Sequence, residues 1–88
     1  MLREVIEEPN FLEQFDSLRD EHPEIDMDAV HADITWTLAS NPRIGELIEV
    51  MLDPTYRVYK TKPIDDLPSF RVLYRYTDKH VILLSIII

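Results

Sequence analysis

The spacing of apolar positions changes from short alternation to helical periodicity and back again along the chain. Leu2, Val5 and Ile6 sit among Arg3, Glu4 and Glu7, which predicts a first strand over residues 2–7, broken by Pro9. Phe11, Phe15, Leu18 and His22 then recur at helical spacing, with Glu13, Asp16, Asp20 and Glu21 elsewhere. Asn10 is the expected cap of this helix, with Glu13 three residues on, and Pro23 ends it. A second helix is predicted to start near Asp26 or Asp28, where acids suit the positive end of the helix dipole. Its stripe is Val30, Ile34, Thr37 and Leu38, flanked by Ala29 and Trp36, and Ser40-Asn41-Pro42 stops it. The two helices are expected to pair as a hairpin over a sheet.

Beyond them the pattern weakens. Ile44, Leu47, Ile48 and Met51 fit a short helix, framed by Gly45 and Asp53-Pro54 as a loop with helical character. Residues 56–62 alternate and are rich in β-formers, and Pro63 to Pro68 is a turn-rich connection. The clearest pattern comes last. Phe70, Val72, Tyr74 and Tyr76 point one way and Arg71, Leu73 and Arg75 the other, followed by a turn at Thr77-Asp78-Lys79. His80 to Ile88 is apolar on both faces and predicts a central, covered strand. The order β-α-α-(α)-β-β-β argues for an α+β fold, a small antiparallel sheet packed on helices, in one domain over residues 1–88.

Charge divides the chain in two. The net charge is −8, yet residues 1–53 hold fourteen acids against three bases, while residues 54–88 hold six bases against three acids. The basic groups therefore collect on the expected sheet and the acids on the helices. Such an overall balance opposes general nucleic-acid binding and leaves a local cationic face as the place where an anion can bind. There is no cysteine, so a disulfide framework and a thiolate zinc site are excluded. The start Met1-Leu2-Arg3-Glu4 is unlike a signal peptide, and no apolar run is long enough to span a bilayer, which together set a cytoplasmic expectation.

Two arginines at period two on a supported strand, Arg71 and Arg75, make a rigid cationic platform suited to phosphate or carboxylate. The plainer reading is exposed strand residues paired with Asp65, Asp66 or Asp78. Lys60 and Lys62 alternate on one face of the preceding strand, where lysine also protects a sheet edge. Tyr74 and Tyr76 fall opposite Arg71 and read as core aromatics, as do Trp36, Phe11 and Phe15. His80 is the imidazole nearest the basic hairpin and a candidate proton donor, although a histidine at a turn edge is ordinarily inert. His22 and His31 show no metal-site spacing, and Glu7-Glu8 and Asp65-Asp66 are adjacent acids that a strand sends to opposite sides.

Asn41-Pro42-Arg43 after the helices, and Phe70-Arg71-Val72-Leu73-Tyr74 opening the hairpin, resemble the RelE/ParE superfamily of toxins from type II toxin–antitoxin systems. The similarity covers essentially the whole chain, and its most specific piece is the aromatic-Arg-Val-x-Tyr strand, a turn with Asp and an aliphatic strand. The resemblance implies a small antiparallel sheet flanked by an N-terminal helical hairpin. It implies cleavage of mRNA on the ribosome without a metal or other cofactor, with Arg71 at the scissile phosphate. Arg57 joins Arg71 as a catalytic candidate, and Lys60, Lys62 and Arg75 are substrate-binding candidates. Arginine's forked donors suit charge stabilisation at a phosphate attacked by a 2′-hydroxyl. The implied partners are an antitoxin protein, the ribosome and mRNA, with no membrane.

A second expectation belongs to another class: a non-catalytic binding module, either an inhibitor of DNA gyrase or a degenerate relative that holds an antitoxin or other protein. The uncharged, β-prone run Val81 to Ile88 demands burial or a covering partner, and self-association through the sheet edge is the competing way to cover it.

Overall fold

A computed structural model describes residues 2–63 and 68–88. The elements are β1 (Glu4–Glu7), α1 (Pro9–Glu21), α2 (Met27–Ser40), β2 (Glu46–Leu47), β3 (Tyr56–Lys60), β4 (Arg71–Tyr76) and β5 (His80–Ile87). One five-stranded sheet has the order β1-β5-β4-β3-β2. The fold is α+β, as expected, but the sheet is mixed rather than antiparallel: β1 runs parallel to β5, with Val5 opposite Val81. The β2-β3, β3-β4 and β4-β5 pairs are antiparallel.

Both helices lie where the apolar spacing predicts them. Pro9 occupies the first turn of α1, where its missing N–H costs nothing. Phe11, Phe15 and Leu18 are buried along one face. Asn10 is not the cap; the N-cap is Glu8, which makes no side-chain cap bond. The Asp26 carboxylate caps α2 by accepting from the Ala29 N–H at 3.1 Å. Arg19 meets Asp28 at 2.9 Å between the helices, an exposed pair of small energetic weight. His31 of α2 bonds to Glu7 of β1 and sits edge-on to Phe15, tying the helical hairpin to the sheet.

The helices cover one sheet face. Val72, Tyr74, Val81, Leu83 and Ile86 point into the core with Phe11, Ile34 and Leu38. β5 is an interior strand between β1 and β4 rather than the central one, and its second face is not fully covered, since Ile87 is 52% exposed. Its facing changes part-way, because Leu73 pairs with Ser85 while Tyr74 pairs with Leu83, leaving Leu84 as a bulge. That extra residue lets Val81, Leu83 and Ile86 share the helix face despite their odd-to-even spacing. Side chains of α1 complete the hydrogen bonding there. Asn10 Nδ2 donates to the Leu84 carbonyl at 3.1 Å, and Gln14 Oε1 accepts from the Ile86 N–H at 2.9 Å.

Three further expectations are corrected. The short helix within residues 43–55 is absent; turns surround the two-residue β2 instead. Trp36 is 67% exposed and is no core residue, since Ile34 and Leu38 take the buried side of α2. The strands are shorter than the alternation suggested, with β1 at Glu4–Glu7 and β3 ending at Lys60. Asp65 and Asp66 lie outside the described residues. Among the described residues, no helix is long and apolar enough to cross a membrane.

Tyr74 is fully buried, so its hydroxyl must find protein partners. It donates to the Pro42 carbonyl at 2.5 Å and accepts from the Gly45 N–H at 3.0 Å. Burial holds its phenol above the ordinary 10.0. Burial, aided by the charge of Asp33, does the same to Tyr59. In the unfolded chain both ionise near their ordinary value, so the folded state retains protons that the unfolded state loses. Stability is therefore full below about pH 10 and is lost as pH rises beyond it. An alkaline titration should show Tyr59 and Tyr74 forming phenolate together with unfolding. Tyr74→Phe leaves the Pro42 and Gly45 groups unpaired and is expected to cost about 1–3 kcal/mol in chemical denaturation.

Candidate functional site

The sheet register decides which cations meet. Residues directly opposite on antiparallel strands share a face, and Lys60 pairs with Arg71. Both are exposed on the face away from the helices. Arg57 pairs with Tyr74, on the helix-covered face. The two expected catalytic arginines therefore lie on opposite faces of the sheet, because Arg57 and Lys60 differ in parity along one strand.

Arg57 has a different occupation. Its Nη1 donates to the carbonyls of Gly45 at 2.9 Å and Arg43 at 3.2 Å. Its guanidinium also stands 6.0 Å from the Tyr76 ring centroid, within cation–π range. The Nε–H is buried without a partner among the described residues, which offsets part of this gain. Arg57 and Tyr74 together clamp residues 42–45 against β3 and β4. Gly45 is required by close approach: a Cβ there would lie 2.5 Å from the Tyr74 hydroxyl and 2.9 Å from the Val58 carbonyl.

This clamped segment forms one wall of a cleft of about 620 Å³. β2 pairs with Arg57 and Val58, so among the described residues β3 beyond Val58 has no strand partner on that side. The opening so created is bordered by Lys60, Lys62 and Arg71, with Ile44, Gly45 and Glu46 on the clamped side. Asp33 and Thr37 of α2 complete it. The base of the cationic wall is rigid, because Thr61 is buried and its hydroxyl accepts from the Phe70 N–H at 2.9 Å.

Asp33 is an oriented carboxylate. It accepts from the Tyr59 hydroxyl at 3.2 Å and from the Thr37 hydroxyl at 3.2 Å. The four ion pairs found among the described residues are Arg19–Asp28, His22–Glu24, His31–Glu7 and His80–Glu4, and none joins the cleft's acids to its bases. Asp33 and Lys62 also line a neighbouring, more apolar cavity of about 590 Å³, with Ile25, Val30 and Phe70.

Of the expected site residues, the structure thus brings Arg71, Lys60 and Lys62 together. Arg75 shares the open face but pairs with Tyr56 at the other end of the ladder, about 13 Å from Arg71 by strand rise. Its charge is the least of the causes that lower the Asp53 carboxyl, after two hydrogen bonds from Thr55. His80 lies 3.8 Å from Glu4, beside β1 and away from the cleft. Among the described residues, no three His, Asp or Glu side chains converge as a metal site. No protein-family model and no curated protein matches the chain. Asp33, Glu46 and Tyr59 escaped sequence reasoning. Their one signal was the i, i+4 pair Asp33 and Thr37, two polar side chains on one flank of a mostly apolar helix.

As a clamp rather than a ligand, Arg57 should matter for stability. Arg57→Met keeps the apolar stem and loses both carbonyl bonds. It is expected to lower stability by about 1–2 kcal/mol, measured by urea unfolding, while inorganic phosphate binding survives. Unchanged stability with lost phosphate binding would make Arg57 a ligand instead.

Proposed function

We propose that this chain is the toxin of a type II toxin–antitoxin pair and engages an RNA phosphodiester in the cleft beside β3. The observation that carries this reading is the convergence of Lys60, Lys62 and Arg71 on one opening, in a chain whose other half is acidic. A helical hairpin on one sheet face and an arginine on the open face of the penultimate strand also agree with the RelE/ParE-like resemblance. In this reading Arg71 holds the scissile phosphate with its forked donors, and the two lysines hold the flanking backbone as point charges. Cleavage of mRNA on the ribosome is the reaction that the resemblance supplies.

The second reading is a binding module without catalysis, and one observation favours it. Arg57, expected beside the phosphate, is instead turned to the other face and bonded to main-chain carbonyls. A gyrase or other protein target then replaces RNA, and the cationic cleft becomes a contact for an acidic segment.

Primer extension on mRNA in a cell-free translation reaction separates the two. Ribosome-dependent cleavage that falls on the order of 100-fold in Arg71→Ala is the expected result. Its variant should keep the circular dichroism spectrum of the parent, because Arg71 is exposed. Folded protein that leaves mRNA intact supports the binding module, and cleavage undiminished in Arg71→Ala removes Arg71 from the site.

A further inference from the structure

A carboxylate repels phosphate, so acids set beside cations point to a second, non-phosphate part of the ligand. Here Asp33 and Glu46 border the same opening as Lys60, Lys62 and Arg71. Asp33 is held in place by the Tyr59 and Thr37 hydroxyls, and Tyr59 is itself buried. The carboxylate also borders the largely apolar cavity formed with Ile25, Val30 and Phe70, whose lining includes two more acids, Glu24 and Asp26. A ligand matching this layout is anionic at one end, flat and apolar in its body, and rich in N–H donors along one edge. A nucleotide has those three parts, and each of the two cavities is of ligand-binding size.

An ionised carboxylate is acceptor-only, and its two oxygens receive two parallel donors best. Among the four common RNA bases, guanine alone presents two adjacent N–H donors, at N1 and N2, on one edge. Cytosine and adenine each offer one amine beside an acceptor, which a carboxylate repels. We propose that Asp33 reads guanine: the base enters the apolar cavity, its N1–H and N2–H donate to the Asp33 oxygens, and its phosphate meets the cationic wall. This assignment rests on the phosphate-binding reading of the cleft and adds to it the identity of the base. Tyr59 and Thr37 are positioning residues, since they act by orienting the carboxylate.

The test measures binding of GMP, AMP, CMP and UMP to the full chain by calorimetry, with inorganic pyrophosphate as a probe of the cationic wall alone. GMP is expected to bind about tenfold more tightly than the other three. Asp33→Asn substitutes an amide that donates and accepts, so the GMP preference should vanish and AMP should gain. Asp33→Ala should lose the preference without that gain, and pyrophosphate affinity should not fall in either variant. Equal affinity for the four nucleotides, with pyrophosphate still bound in an Arg71-dependent way, overturns the guanine assignment and spares the phosphate site. A GMP preference unchanged in Asp33→Asn overturns it as well. Failure of pyrophosphate and all four nucleotides to bind overturns both readings.

Discussion

The hydroxyl of Tyr74 is the constraint on which the site depends. Its ring is wholly inside the core, and a phenol there without partners would cost several kcal/mol by transfer estimates. The partners it finds are main-chain groups of Pro42 and Gly45, outside any helix and just before β2. The segment after α2 is thereby drawn onto the sheet, and the position nearest the hydroxyl must be glycine. Arg57 adds two bonds to the same segment from the neighbouring strand. A core tyrosine and a half-buried arginine thus shape a surface cleft that neither of them lines.

Elements that carry their own local signals were legible in the sequence. Pro9, Asp26 and Asn41-Pro42 bound the helices where their chemistry says they should. Alternation in Phe70 to Tyr76 placed Arg71 on the open face correctly, since one strand's parity is a local property. What could not be read was whatever a distant residue decides. β2 is two residues long and is held by Tyr74 and Arg57, so no periodicity announces it. The parallel pairing of β1 to β5 joins segments far apart in sequence. Whether Arg57 and Arg71 meet depends on the register between two strands, which composition does not reveal. Trp36 misled because size suggested burial, whereas Ile34 and Leu38 already fill the core-facing side of its helix.

The division of charge acquires a structural sense from the sheet. The helices carry acids on their solvent side, while Lys60 and Arg71 stand on the helix-free face. A layer of core side chains separates the two populations, and charges so separated are also screened by salt over about 8–10 Å. The cations are therefore not neutralised by the bulk of the acids, and local attraction survives a strongly negative whole. Asp33 and Glu46 are exceptions placed at the border of the cleft. Approach of a large polyanion is slowed by such a molecule, whereas a short, locally presented anion is not.

The adjacency of β1 and β5 bears on how the polypeptide comes to exist at all. β1 is made before the strand it lies against, and the Leu83 and Leu84 carbonyls that receive Glu8 and Asn10 are far along the chain from it. During synthesis the N-terminal strand and both amphipathic helices emerge with no sheet to cover. Closing so long a loop is the slow kind of step, because its entropy is lost before the contacts form. The apolar faces of α1 and α2 thus lack their full sheet until β5 has been made. That interval leaves apolar surface open to unwanted contacts before the sheet closes.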